Sequence, residues 1–156
     1  MIKEIINNWF LKMFRRVIGF KENPYHPMVW INGNPFIGEG TYIGGFSNIN
    51  ANKTHVNIGR DCDISSFVAI NAADSHKKGL GILKDIVRKP ITLCDNVFVG
   101  SHVVIKGGAY IGHHSVVASG TIVGECNVPP YSLVIGNPMV VKAGYYKDKI
   151  KQVVYK

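Results

Sequence analysis

Ile31-Asn-Gly-Asn-Pro-Phe, Ile37-Gly-Glu-Gly-Thr-Tyr, Ile43-Gly-Gly-Phe-Ser-Asn and Ile49-Asn-Ala-Asn-Lys-Thr are four consecutive units of six residues, each opened by isoleucine. After His55-Val56-Asn57 the register resumes at Ile58, Ile64 and Ile70. It breaks over 76–92 and returns at Leu93, Val99, Ile105, Ile111, Val117 and Val123, making about thirteen units. In most of them a small residue, usually Gly, follows the aliphatic, and a small or short-branched residue stands four places after it. A helix needs a period of 3.6 and a two-faced strand a period of 2, so neither accounts for six. A short strand and a sharp bend every six residues do. Three such units close a triangular turn, and turns stack at the usual strand separation of about 4.8 Å. The aliphatics then form one continuous column that no single repeat could bury alone. Gly beside the aliphatic suits the bend, where a positive φ or a close backbone approach is required. The fold class predicted is all-β, a parallel β-helix of hexapeptide repeats.

The rest of the composition agrees with one such domain. The chain has 156 residues, 46% of them hydrophobic and 18% charged, which excludes a disordered chain. No apolar run reaches the roughly 18 residues of a membrane span, and Glu4, Lys12, Arg15 and Arg16 interrupt what would be a signal-peptide core. A cytoplasmic protein is expected. Cys62, Cys94 and Cys126 form no C-x-x-C pair, and their odd number favours reduced thiols. Lys and Arg number 18 against 10 Asp and Glu, and fifteen of the 18 fall in three islands, 1–21, 77–89 and 142–156. No nucleic-acid-binding pattern accompanies them, so discrete islands point to a phosphate-bearing small ligand or an anionic surface and away from nucleic acid.

Residues 76–92 have no six-residue register and carry five cations against one acid. Insertions in solenoids become loops on one face, often the binding face. This one follows Asp74-Ser75-His76 and rejoins the repeat before Val99-Gly100-Ser101-His102-Val103-Val104; further on come Val128-Pro129-Pro130 and Gly136-Asn137-Pro138. The repeat resembles that of the hexapeptide-repeat acyltransferases. The loop, the serine segment and the proline motif resemble those of their xylosyl-type sugar acetyltransferases, which include galactoside and maltose acetyltransferases. The resemblance implies a left-handed coil, where the general preference for right-handed crossovers would give the opposite hand. It also implies a homotrimer with active sites between subunits and acetyl-CoA as acyl donor, with no metal.

The acceptor implied is a saccharide or nucleotide sugar, in bacterial surface-polysaccharide synthesis. His76 matches the family's catalytic histidine, and an imidazole suits a general base at neutral pH. The Ser101 segment, backbone N–H first and hydroxyl second, is assigned to the thioester carbonyl. Asp74 is the candidate to orient the imidazole, with a main-chain carbonyl the alternative. Ser119 and Gly120 fall at the pantetheine stretch. Lys142 is the nearest cation to follow the proline motif, because the position where relatives carry a basic residue is Val140 and their Thr-Lys pair is Gly124-Glu125 here.

The remaining histidines carry less. His102 is read as a side chain at a subunit contact, His113 and His114 as solvent-facing bend residues, and His26 and His55 as parts of connecting stretches. Asn48, Asn50, Asn52 and Asn71 have amides to offer sugar hydroxyls, although Asn is also common at β-helix bends. At the N-terminus, apolar residues from Ile2 to Ile18 recur at 3–4 residue spacing, which predicts an amphipathic helix over 2–18 ended by Gly19. Its stripe is expected to be covered by the β-helix or a neighbouring subunit, or else to lie on anionic lipid at the inner membrane.

The organisation predicted is thus 1–30 helix and linker, 31–128 acyltransferase β-helix, and 129–156 closing segment and basic tail. The function predicted is O-acetylation of a sugar. The alternatives are N-acetylation of a nucleotide-linked amino sugar, a carbonic anhydrase-like metal protein and a silent scaffold.

Overall fold

The computed structural model describes residues 2–19 and 23–151. From Trp30 the chain winds a three-faced parallel β-helix of five coils. Face A holds Trp30–Gly33, Asn48–Ala51, Ala69–Asn71, Val104–Lys106 and Ile122–Val123. Face B holds Phe36–Ile37, Val56–Ile58, Ile91–Leu93, Ala109–Ile111 and Cys126–Val128. Face C holds Tyr42–Ile43, Asp63–Ile64, Phe98–Val99, Val116–Val117 and Leu133–Ile135. That last strand lies beyond Val128, so the coil ends inside the segment read as closing.

The repeat positions stack in register. On face A, Ile31 pairs with Ile49, Ile49 with Ile70, Ile70 with Ile105 and Ile105 with Val123. Ile49, Ile70, Ile105 and Val123 are fully buried, as are the corresponding residues of face C from Ile43 to Val134. Fully burying one such side chain stabilises by roughly 1.5–3 kcal/mol. The small residue four places on is also inward, and where it is a hydroxyl it stitches coils together. Thr41 Oγ1 donates to Gly59 O at 2.8 Å and accepts Cys62 N–H at 3.1 Å; Ser47 does the same between Ser65 O and Val68 N–H. Buried polar groups are thereby satisfied.

Of the two reasons for a glycine after the aliphatic, close approach decides. A Cβ on Gly44 would lie 2.5 Å from Ser66 N, and one on Gly100 would lie 2.6 Å from Ser119 N, while neither glycine has a positive φ. The positive φ falls at the corners themselves, on residues such as Asn96 and His114.

After Gly136-Asn137-Pro138 the chain reverses, and Val140–Lys142 pairs antiparallel with Leu133–Ile135. The N-terminal helix spans Ile2–Ile18. Its stripe does not pack on the chain's own β-helix: Ile5, Ile6, Trp9, Phe10, Met13, Phe14, Val17 and Ile18 are all exposed. No described helix is long and apolar enough to cross a membrane.

Candidate functional site

In the third coil the chain leaves face A after Asn71 and returns to face B at Ile91. The extended loop expected at 76–92 takes the form of an arm whose two legs leave and return at one corner and pair: Ala73–Asp74 runs antiparallel to Val87–Arg88, and His76–Gly79 makes one helical turn further out. Lys89 N–H donates to Ala72 O at 3.0 Å, and Arg88 Nε donates to Asn52 O at 3.1 Å on the coil before. Arg88 thereby ties the arm to the coil before. Between arm and face A lies a cavity of about 330 Å³ lined by Asn71, Asp74, His76, Lys89, Lys106 and Glu125.

Asp74 Oδ1 lies 2.5 Å from His76 Nδ1 and accepts the His76 backbone N–H at 3.1 Å. These hydrogen bonds, the side-chain one foremost, hold the Asp74 carboxyl below the usual carboxylate range, and nearby Lys106 adds to the effect. An ionised carboxylate can only accept, so Nδ1 of the neutral ring carries the proton and Nε2 keeps its lone pair. The dyad requires no distant partner, because it is an Asx-type turn closed on the residue two places on. Lys106 Nζ stands 3.7 Å from Asp74 Oδ2, and Lys89 pairs with Glu125 across the cavity. The sequence reading did not single out Lys106 for the site; the only signal was its being one of three cations outside the basic islands.

The other candidates lie elsewhere in the same chain. Ser101 sits in the turn between Phe98–Val99 and Val104–Lys106, at the corner of faces C and A. Ser119 and Gly120 occupy that corner one coil on, where Gly120 N–H donates to Ser101 O at 3.0 Å. A Cβ built on Gly120 would meet nothing within 4 Å, so the backbone there lies open beside Ser101. Asp74 and His76 are at the corner of faces A and B, a full face away. Lys142 pairs with Leu133 and Val140 with Ile135, so Lys142 is at the end of its strand remote from the serine corner.

Among the asparagines, Asn50 Nδ2 donates to Asn71 Oδ1 at 3.2 Å, and the register places Asn32, Asn50, Asn71 and Lys106 in one outward column on face A. His113 and His114 do not simply face solvent: they are half-buried, with their Nδ1 atoms 3.0 Å apart and Tyr131 against both rings. Among the described residues no three His, Cys, Asp or Glu side chains gather closely enough to hold a metal ion.

With this geometry the chain resembles solved acetyltransferases. It shares 30% identity with a galactoside acetyltransferase in complex with coenzyme A, at a TM-score of 0.68 over 80% of this chain and 63% of that one. A hexapeptide-repeat acetyltransferase from Vibrio cholerae O1 biovar eltor, complexed with acetyl coenzyme A, gives 27%, 0.59, 73% and 58% for the same quantities. The polySia-specific acetyltransferase NeuO gives 29%, 0.60, 74% and 61%. The chain thus spans about three-fifths of the length of each. No family model matches it, and no curated protein matches it in sequence.

Proposed function

We propose that this chain is an acetyl-CoA-dependent acetyltransferase that acetylates a saccharide hydroxyl, with His76 as general base. The observation that carries the reading is the Asp74–His76 dyad at the edge of the arm's cavity, with Nε2 left to take a proton. Similarity to acetyltransferases that hold coenzyme A or acetyl-CoA supports the donor. The open backbone at Gly120, beside Ser119 and Ser101, leaves room for a thin pantetheine arm. The coenzyme's nucleotide end is assigned to Lys142, at the end of its strand remote from the serine corner. NeuO, a polySia-specific acetyltransferase, supports a saccharide as the acceptor class.

In this mechanism His76 Nε2 takes the acceptor's hydroxyl proton as its oxygen attacks the thioester carbonyl. Asp74 stabilises the imidazolium that forms. The Ser101 backbone N–H, with its hydroxyl second, donates to the carbonyl oxygen as it gains charge; one such donor typically contributes about 2.7–4 kcal/mol. His76 then gives the proton to the departing thiolate of coenzyme A.

Because Ser101 and His76 stand at different corners, the reading requires a second copy. The serine corner of one chain meets the histidine corner of the next, a heterologous contact that closes as a ring, here a trimer. The test is a thiol-release assay with acetyl-CoA over a panel of sugars and nucleotide sugars, repeated with His76→Ala. Acceptor-dependent release that falls a hundredfold or more in the variant supports the reading, and release that persists refutes His76 as base.

A further inference from the structure

Three ammonium groups line the cavity at His76: Lys77 in the arm's helical turn, Lys89 where the arm rejoins the coil, and Lys106 on face A. The two carboxylates of the lining are already engaged. Glu125 pairs with Lys89, and Asp74 Oδ1 is held twice by His76. Asn71 Oδ1 is engaged too, accepting from Asn50 Nδ2 at 3.2 Å and from the Ala73 N–H at 3.1 Å. What the wall has left to offer is donors: the Asn71 amide nitrogen and the ammonium groups of Lys77 and Lys106. Lys106 Nζ lies 3.7 Å from Asp74 Oδ2, beyond hydrogen-bond length, and is the least of the neighbours that lower the Asp74 carboxyl. The outward column of face A is Asn32, Asn50 and Asn71 in the first three coils and becomes lysine in the fourth, at the cavity. The arm itself carries five cations against one acid over 77–89.

We propose that these donors select an acidic saccharide: the acceptor carries a carboxylate or a phosphate that pairs with Lys106 while a hydroxyl of the same sugar reaches His76 Nε2. The inference rests on the catalytic reading proposed above and names its acceptor class. The coenzyme does not account for the charge, because its phosphates lie a whole pantetheine arm away from the thioester at which His76 acts. Lys106 and His76 flank the two oxygens of one carboxylate, so a single sugar ring spans an anion on Lys106 and a hydroxyl at Nε2. The cavity, about 330 Å³, is at the small end for ligand sites and fits one such ring. A hydrogen bond from an ammonium group to a carboxylate or phosphate is roughly twice as strong as one between neutral groups. The cations of the arm add to this by raising the local concentration of anions at its mouth.

The test uses the full chain with acetyl-CoA and acceptor probes that differ in charge alone. Methyl β-galactopyranoside is compared with its uronate and its 6-phosphate, the methyl β-glucopyranoside series likewise, and N-acetylneuraminic acid with its methyl ester. Thiol release is followed for wild type, Lys106→Met and His76→Ala; Met keeps the apolar stem and removes the charge. In the series turned over fastest, wild type is expected to use a charged member with kcat/KM at least tenfold above that of the neutral one. Lys106→Met is expected to cut that preference tenfold or more, through a higher KM for the charged acceptor. Whether the uronate or the 6-phosphate shows the effect identifies the group that Lys106 binds. A neutral member used equally well, or a preference that survives in Lys106→Met, overturns the acidic acceptor even where turnover depends on His76. A loss of kcat that is equal for charged and neutral members does so too, since it makes Lys106 a support for Asp74 alone. Turnover of no probe, or full activity in His76→Ala, overturns the catalytic reading, and the acidic acceptor falls with it.

Discussion

Asp74 and His76, two residues apart, are joined twice: Asp74 Oδ1 is 2.5 Å from the ring Nδ1 and accepts the backbone N–H at 3.1 Å. One carboxylate oxygen therefore sets both the turn and the tautomer. Asp74→Asn offers Nδ1 an amide in place of an acceptor-only group. We expect kcat to fall tenfold or more at pH 7.5 with the KM for acetyl-CoA unchanged, and steady-state kinetics check this. Equal kcat would mean a main-chain carbonyl orients the ring.

The same pair bears on acid stability. A carboxyl whose folded pKa is lowered contributes stability that is present above its unfolded pKa and lost as pH falls through the folded value. The gap in melting temperature between wild type and Asp74→Asn should therefore be widest near neutral pH and close as pH drops below the usual carboxylate range. Thermal melts across pH 2–8 measure it, and a gap that widens on acidification contradicts the assignment.

Two backbone positions probe the coil. Ile105 is fully buried in the aliphatic column, so Ile105→Ala should cost about 2–5 kcal/mol in urea unfolding. Gly100→Ala sets a Cβ 2.6 Å from Ser119 N, and overpacking of this kind typically costs about 1–3 kcal/mol. The coils at the serine corner would have to part, so acetyl-CoA binding should weaken in the same variant. Isothermal titration reads that effect.

The N-terminal helix carries an exposed apolar stripe with Lys3, Lys12 and Arg16 among its polar residues. If anionic lipid covers it, full-length protein sediments with phosphatidylglycerol vesicles, and protein lacking residues 1–19 does not. Equal sedimentation of the two removes lipid and leaves a neighbouring subunit as the cover.

The coil was legible because its signal is local and repeated: the aliphatics named by the spacing of six from Ile43 to Val123 are all buried, whereas Val56 and Ile91, equally buried, fall in the two breaks of the register. His76 was named through the resemblance, by its place before the loop, and Asp74 as a neighbour able to orient it; the Asx-type turn that joins them emerges only in the structure. Lys106 and Glu125 were not named, since their approach to the cavity depends on which coils stack beneath the arm, 30 to 50 residues away in the chain. The strand Val140–Lys142 was missed because it is short and follows a turn that resembles a terminus.

The proposed active site takes its base from one copy and its oxyanion donor from the next. Two disabled chains, His76→Ala and Ser101→Asp, the latter setting a carboxylate against the developing charge, test it by co-expression at equal amounts. Random trimers with a head-to-tail contact would then regain about a quarter of wild-type sites, because each mixed trimer pairs one intact histidine corner with one intact serine corner. Acetyl transfer near that level is expected. Activity no higher than that of either variant alone, in a preparation shown by mass to contain mixed trimers, would contradict it.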